Sequence, residues 1–205
     1  MVGIIGKKIG MTSVFNEEGH KVPCTVIEAG PCKITQKRTE EKDGYTALQL
    51  AYGEKKQKNT SKALLGHFGK TKSTPAKQLI EFRNFEGDYK EGDEIKLDIL
   101  KEEGTVDVQG ISIGKGFQGG VKRYGFSGVG GQTHGQKDQA RRGGSIGAAS
   151  DPSRVFKGKR MPGRTGNKKV KLTNLKIVRL LPEKNLLFVK GAVPGKKGSY
   201  LTIEQ

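Results

Sequence analysis

Tryptophan is absent from this 205-residue chain, aromatic residues make up 6% of it, and hydrophobic residues only 33%. That is lean, but the length still suffices for one large domain or two small ones around a real core. Cysteine is nearly absent: Cys24 and Cys32 are too few for a disulfide framework. No apolar run approaches the roughly 18 residues of a membrane span. The opening, Met1-Val-Gly-Ile-Ile-Gly-Lys-Lys, places four apolar residues before charge intervenes, which is not the pattern of a secretory signal. Acid is scarce too, with 21 Asp and Glu against 38 Lys and Arg. These shortages predict a soluble, reduced, cytosolic protein and exclude secreted scaffolds and membrane spans.

What the chain has in excess is positive charge, a formal +17, and glycine, 31 residues where an average composition of roughly 7% would give about 14. A surplus of that size repels itself in a folded chain, so a polyanion is the partner composition calls for, nucleic acid ahead of an acidic membrane surface. The charge is concentrated. Residues 114–171 carry 14 Lys or Arg against Asp138 and Asp151, a net +12, and 15 of the glycines. The remaining residues carry only +5. So few large apolar side chains cannot offset the conformational entropy of nearly sixty residues. The segment is expected to be disordered alone and ordered with a partner.

The flanks read differently. Val2 to Ile9, Met11 to Phe15, Val22 to Ala29, Lys33 to Lys37 and Thr46 to Tyr52 read as strands, with Asn16-Glu-Glu-Gly19 and Gly30-Pro31 as punctuation. Leu64, Leu65 and Phe68 suit a short helix, and Pro75 is placed to open another. Ile95, Leu97 and Ile99 recur at period two. Val106, Val108, Ile111 and Ile113 read as a strand whose phase slips at Gln109-Gly110, as at a bulge. Past the basic segment come Val170 to Leu181, a turn at Pro182-Glu-Lys-Asn185, Leu186 to Val189, and Tyr200 to Ile203. Many short strands with little helix predict a small antiparallel barrel or sandwich, interrupted by one long basic insertion. An unstructured insert of that length is expected to be functional.

Gly114-Lys-Gly-Phe-Gln-Gly119 matches the dinucleotide fingerprint GxGxxG after a predicted strand. A dinucleotide fold needs a helix to begin there, with its amides facing the pyrophosphate. The following Gly120, Gly125, Gly128, Gly130 and Gly131 argue against one. Glycine instead lets the main chain pass close to crowded phosphates. Lys115, Lys122, Arg123, Arg141 and Arg142 are suited to neutralise those phosphates, and Phe117, Tyr124, Phe126 and His134 to stack on unpaired bases. Arg154-Val-Phe-Lys157-Gly-Lys159-Arg160-Met-Pro-Gly-Arg164 is a second basic run that reads as an RNA-contacting loop. The pairs Lys7-Lys8 and Lys55-Lys56 look like solvated strand ends or loops.

His20, Cys24 and Cys32 lack the spacing and the fourth ligand of a zinc site, and Cys24 reads as a small core residue. The three histidines, His20, His67 and His134, lie far apart and outside any nucleophile motif. Glu40-Glu41 and Glu102-Glu103 read as solubilising charge. No catalytic residue and no metal site is expected. A nucleotide-dependent enzyme built on the glycine motif and a DNA-compacting protein are the rival classes; the second lacks helix-turn-helix, ribbon-arm or heptad signatures.

Gly3-Ile-Ile-Gly-Lys-Lys-Ile-Gly-Met-Thr12 closely resembles the opening of the bacterial large-subunit ribosomal protein L-three family. Gly114 to Phe126, Gly144-Ser-Ile-Gly147, Arg154 to Met161 and Asn185 to Gly195 resemble it as well, so the likeness spans the chain in the family's order. The resemblance implies a mainly β fold: a six-stranded antiparallel barrel of the translation-protein type with a small α+β insertion and a long basic central extension. On that reading residues 1–113 and 170–205 form the base, with the mixed insertion at about 55–85, and residues 114–169 form an irregular extension. It further implies direct binding of large-subunit rRNA near its 3′ end, a role early in subunit assembly, an extension directed toward the peptidyl transferase centre, and no catalysis. The rRNA-binding set expected is Lys7, Lys8, Lys115, Phe117, Lys122, Arg123, Tyr124, Phe126, His134, Arg141, Arg142, Ser145, Arg154, Lys157, Lys159, Arg160, Arg164, Lys168 and Lys169. Some members carry a methylated glutamine after Ser-Ile-Gly; here Ala148, Ala149 and Ser150 stand there, so no modification is expected. Expected partners are large-subunit rRNA and the neighbouring proteins L-fourteen and L-nineteen, with no membrane and no small-molecule substrate. No cofactor is expected beyond Mg or K ions held by the rRNA, and the location is the cytoplasmic ribosome.

Overall fold

The computed structural model describes residues 2–102, 104–131 and 133–205. Met1, Gln132 and Glu103 lie outside the described residues, and with Glu103 goes half of the Glu102-Glu103 pair. In chain order the elements are β1 (Gly3–Phe15), β2 (Lys21–Ala29), β3 (Cys32–Arg38), α1 (Glu40–Asp43), β4 (Ala47–Glu54), α2 (Lys62–Lys70), β5 (Ala76–Arg83), β6 (Glu94–Ile95), β7 (Thr105–Ile111), β8 (Gly116–Gln118), α3 (Gly120–Tyr124), β9 (Gly163–Thr165), β10 (Lys169–Leu181), β11 (Leu186–Lys190) and β12 (Tyr200–Glu204). Two compact units result, Met1–Ser112 with Lys169–Gln205, and Ile113–Lys168.

In the first unit six strands pair antiparallel in the order β1-β12-β7-β10-β11-β2, and β2 returns to β1 to close the ring. Closure satisfies every edge, so no strand of the ring is left as a template for another chain. Long strands must coil to do this, and bulges let them. Between Lys8 and Gly10 the register of β1 against β2 shifts by one residue, leaving Ile9 as the extra one. A second, four-stranded sheet runs β5-β4-β3-β6. One continuous apolar core serves both sheets, with Ile4, Ile27, Val108, Leu187 and Ile203 from the ring and Leu50, Phe82 and Ile95 from the second sheet. Helix α2 starts at Ser61, whose hydroxyl accepts the Leu64 N–H, and buries Phe68.

Three sequence expectations are corrected here. Pro75 precedes a strand, not a helix: Ala76–Arg83 pairs along β4 from Glu54 to Ala47 and places Phe82 in the core. Partnering β4 outweighs the local preference of a chain with no strong alternation. The period-two run through Ile95 to Ile99 is a two-residue strand followed by a 3-10 turn over Leu97–Ile99. The strand β7 has no phase slip at Gln109-Gly110. Val106, Val108 and Gly110 all point inward, and a Cβ on Gly110 would stand 2.6 Å from Leu201 Cδ2. Glycine there fills an inward position that Leu201 leaves no room for. The extra residue lies on the facing strand, between Leu172 and Leu175 of β10, where Asn174 takes φ +57.

Candidate nucleic-acid interface

The second unit, residues 113–168, holds twelve Lys or Arg against Asp138 and Asp151. None of its described residues is buried. Without a core, what order it has comes from backbone pairing and from contacts of cations with rings. The ribbon β8–β9 pairs Gly116, Phe117 and Gln118 with Thr165, Arg164 and Gly163, and the Lys115 N–H continues it onto the Thr165 carbonyl at 2.9 Å.

Directly after this ribbon strand the chain does form a helix, contrary to the sequence expectation. Gly119 caps α3, and Gly125 ends it after five residues at φ +74. The glycines shorten the helix rather than forbid it, because Gly125 takes the left-handed conformation that terminates one. The strand before it pairs antiparallel with β9, so no βαβ unit surrounds the motif.

On α3, Arg123 Nη1 donates to the Met161 carbonyl at 2.6 Å, fastening the two basic runs together. Its guanidinium lies 4.9 Å from the Tyr124 ring centroid, and that of Arg160 lies 5.8 Å from the same ring. Tyr124 and Phe126 follow at 6.1 Å, tilted 33°. Arg154 sits 5.4 Å over Phe156. A cleft of about 380 Å³ opens beside this cluster, with Phe126, Arg141, Lys159, Arg160 and Met161 on its walls.

The other sequence-predicted residues distribute as follows. Phe117 is 76% exposed, and Lys115, Lys122, His134, Arg142, Lys157, Arg164 and Lys168 are exposed. His134 takes φ +53. Ser145 makes a tight local turn, its hydroxyl donating to the Gly147 carbonyl and accepting the Gly147 N–H. Lys7, Lys8 and Lys169 belong to the first unit. Lys7 and Lys169 are exposed. Lys8 is turned to its own chain: Nζ donates to the carbonyls of Val193 at 2.8 Å and Gly195 at 2.9 Å, and burial pushes its pKa down.

Sequence reasoning passed over Phe156, the ring beneath Arg154, and the exposed pair Lys196-Lys197 on the loop from β11 to β12. A Lys pair between Gly195 and Gly198 was the available signal for the second. It also counted Lys171 in the basic stretch, whereas Lys171 is bound by Glu204 at 2.6 Å and Asp107 at 3.1 Å. Among the described residues no group of His, Cys, Asp and Glu is placed to hold a metal ion, and no helix is long and apolar enough to cross a membrane.

A closed β ring in one unit and a coreless, cationic, ring-studded second unit define a basic, non-catalytic-looking β scaffold protein. The sequence profile of the family described as ribosomal protein L3 matches residues 78–185. The chain is also 52% identical over 204 residues to the large ribosomal subunit protein uL3 of Salinibacter ruber, covering 99% of this chain and 98% of that one. The chain belongs to the ribosomal protein L3 family, structural and non-enzymatic components of the large ribosomal subunit.

Proposed function

We propose that the protein binds large-subunit rRNA directly, near its 3′ end, supports an early step of subunit assembly, and sends residues 114–169 toward the peptidyl transferase centre. The six-stranded ring acts as the rigid base, a barrel of the translation-protein type, with the mixed insertion at its side. One observation supports this reading above the rest: the second unit has no buried residue among those described, yet carries twelve cations against two acids. Such a unit gains its final shape from a polyanion that screens its self-repulsion. Lys115, Lys122, Arg141, Arg142, Arg154, Lys157, Lys159, Arg160, Arg164, Lys168 and Lys169 neutralise phosphates so that RNA helices can pack, Lys7 joins from the ring while Lys8 braces the ring itself, and Ser145 approaches through its turn. Phe117, Tyr124, Phe126 and His134 stack on unpaired bases, with Arg123 bracing Tyr124. The protein brings no cofactor of its own, and any Mg or K ions are those of the RNA. Its neighbours are L-fourteen and L-nineteen, on the cytoplasmic ribosome.

The test is replacement of residues 116–168 by a short glycine linker. Ile111 pairs with Lys169, so the ends of β7 and β10 lie opposite each other, about 5 Å apart, close enough for a turn to join them. The expected result is an unchanged melting transition for the ring together with stalled large-subunit precursors in sucrose gradients. Normal subunit profiles overturn the proposal.

A further inference from the structure

The cleft in the second unit is lined by two kinds of chemistry, the Phe126 ring with Met161 and the cations Arg141, Lys159 and Arg160. Two glycines keep it open. A Cβ on Gly120 would stand 3.0 Å from Phe126 Cδ2, and one on Gly143 would stand 3.5 Å from Cδ2 and Cε2, so both approach the same edge of the ring. The Arg123 bond to the Met161 carbonyl ties α3 to the segment that brings Met161 to the cleft. At about 380 Å³ the cleft lies at the small end of the range for ligand sites, about 300–1,000 Å³.

We propose that this cleft is a receptor for a single unstacked nucleobase of the bound RNA, laid against Phe126, with the flanking phosphates met by Arg141, Lys159 and Arg160. The inference rests on the RNA-binding reading above and deepens it, from general phosphate contact to capture of one extruded nucleotide. An aromatic lining suits any base, because every base has a π face, and the lining cations suit only a base that brings phosphate with it. Apolar ligands without charge leave three cations unanswered. The glycines keep side chains off the Phe126 ring edge, where a Cβ on Gly120 or Gly143 would come into contact.

The experiment uses the full chain and a full-length large-subunit rRNA transcript, with filter binding across a salt series and base-specific chemical footprinting. Gly143→Leu crowds the cleft beside Phe126 from an exposed position whose backbone is not left-handed and whose Cβ meets only ordinary contact. Phe126→Leu keeps an apolar side chain in the lining and removes the ring. Both are expected to weaken binding about 5- to 150-fold, the range for loss of one base–aromatic stack, with the salt slope unchanged. Both are expected to expose one and the same unpaired nucleotide that the wild-type protein shields, whereas Lys137→Ala leaves it shielded. Wild-type affinity and footprint in Gly143→Leu overturn the cleft assignment while leaving RNA binding intact. If the wild-type chain shows no salt-dependent affinity for the transcript, the RNA-binding reading fails and the cleft assignment falls with it.

Discussion

The ring of Phe82 occupies the space a side chain on Gly3 would need: a Cβ there would stand 2.2 Å from Cδ1 and 2.4 Å from Cε1. Gly3 opens β1 in the closed ring, and Phe82 lies on β5 in the second sheet, only 2% exposed. Glycine at this position is what allows the two sheets to share one core. Gly3→Ala is therefore expected to cost about 1–3 kcal/mol through overpacking, and Phe82→Ala about 3–5 kcal/mol through the cavity it leaves. Because the two residues touch, the double variant should cost less than the sum. Urea melts of the four proteins measure this, and strictly additive costs would show that the contact carries no energy.

Lys171 and its two carboxylates give the ring a pH dependence with a definite sign. The Asn174 N–H, and after it Lys171, hold the Asp107 carboxyl below the usual carboxylate range. Glu204 and then Asp107 push the Lys171 ammonium up. Folding thus favours the ionised form of each. The Asp107 contribution is complete above its unfolded value of about 3.9 and disappears as pH falls through the lowered native value. The Lys171 contribution is complete below its unfolded value of about 10.4 and disappears as pH rises through the raised one. Both groups are partly exposed, so each effect stays within about 1 kcal/mol. Asp107→Asn should flatten the acid limb of the stability–pH curve and Lys171→Met the alkaline limb; unaltered limbs in these variants would contradict the assignment.

Cys24 and Cys32 are both fully buried, and burial pushes both thiols up, Cys32 to about 12. The Cys32 thiol also donates to the Ile5 carbonyl at 3.6 Å. A thiolate is the reactive form, so neither residue should react in the native protein at pH 8. Thiol titration is expected to find no reactive group before denaturation and two in guanidinium. Rapid native modification of either one would mean that the ring opens at β2 or the second sheet at β3.

Turn chemistry and strict alternation made much of the ring legible. Leu186 to Val189 and the turn ending at Asn185, which takes φ +53, are local signals, and the structure has them. Where the reading failed, the deciding partner was distant in sequence. Nothing near Ala76 says that β4 needs an edge partner, and nothing near Gly110 says that Leu201 fills the space above it. The same split holds at the interface. Clustered Lys, Arg and Gly between residues 114 and 171 stood out in composition, because charge repulsion is a property of the segment itself. That Arg123 would reach the Met161 carbonyl, that Lys8 would turn to Val193 and Gly195, or that Lys171 would be claimed by Glu204 depends on pairings made only in three dimensions.

Those pairings sort the cations, and salt dependence reads the sorting. If about eight phosphates are neutralised, log affinity for loop RNA should fall against log salt with a slope of roughly −6 to −7. Removing a cation that meets phosphate reduces the steepness by about 0.7–0.9, whereas removing one engaged by the protein leaves the slope alone. Arg164→Ala, on the exposed ribbon strand β9, should therefore make the slope shallower by about that amount, as should Lys7→Ala. Lys171→Ala should change stability without changing the slope, because its ammonium already sits between Glu204 and Asp107. Lys8→Met is the sharper case. Two of its three N–H donors are spent on Val193 and Gly195, so its loss should cost about 1–3 kcal/mol of stability through the carbonyls it leaves unpaired. A slope that moves with Lys8 or Lys171 as much as with Arg164 would mean that the ring's own contacts give way when RNA binds.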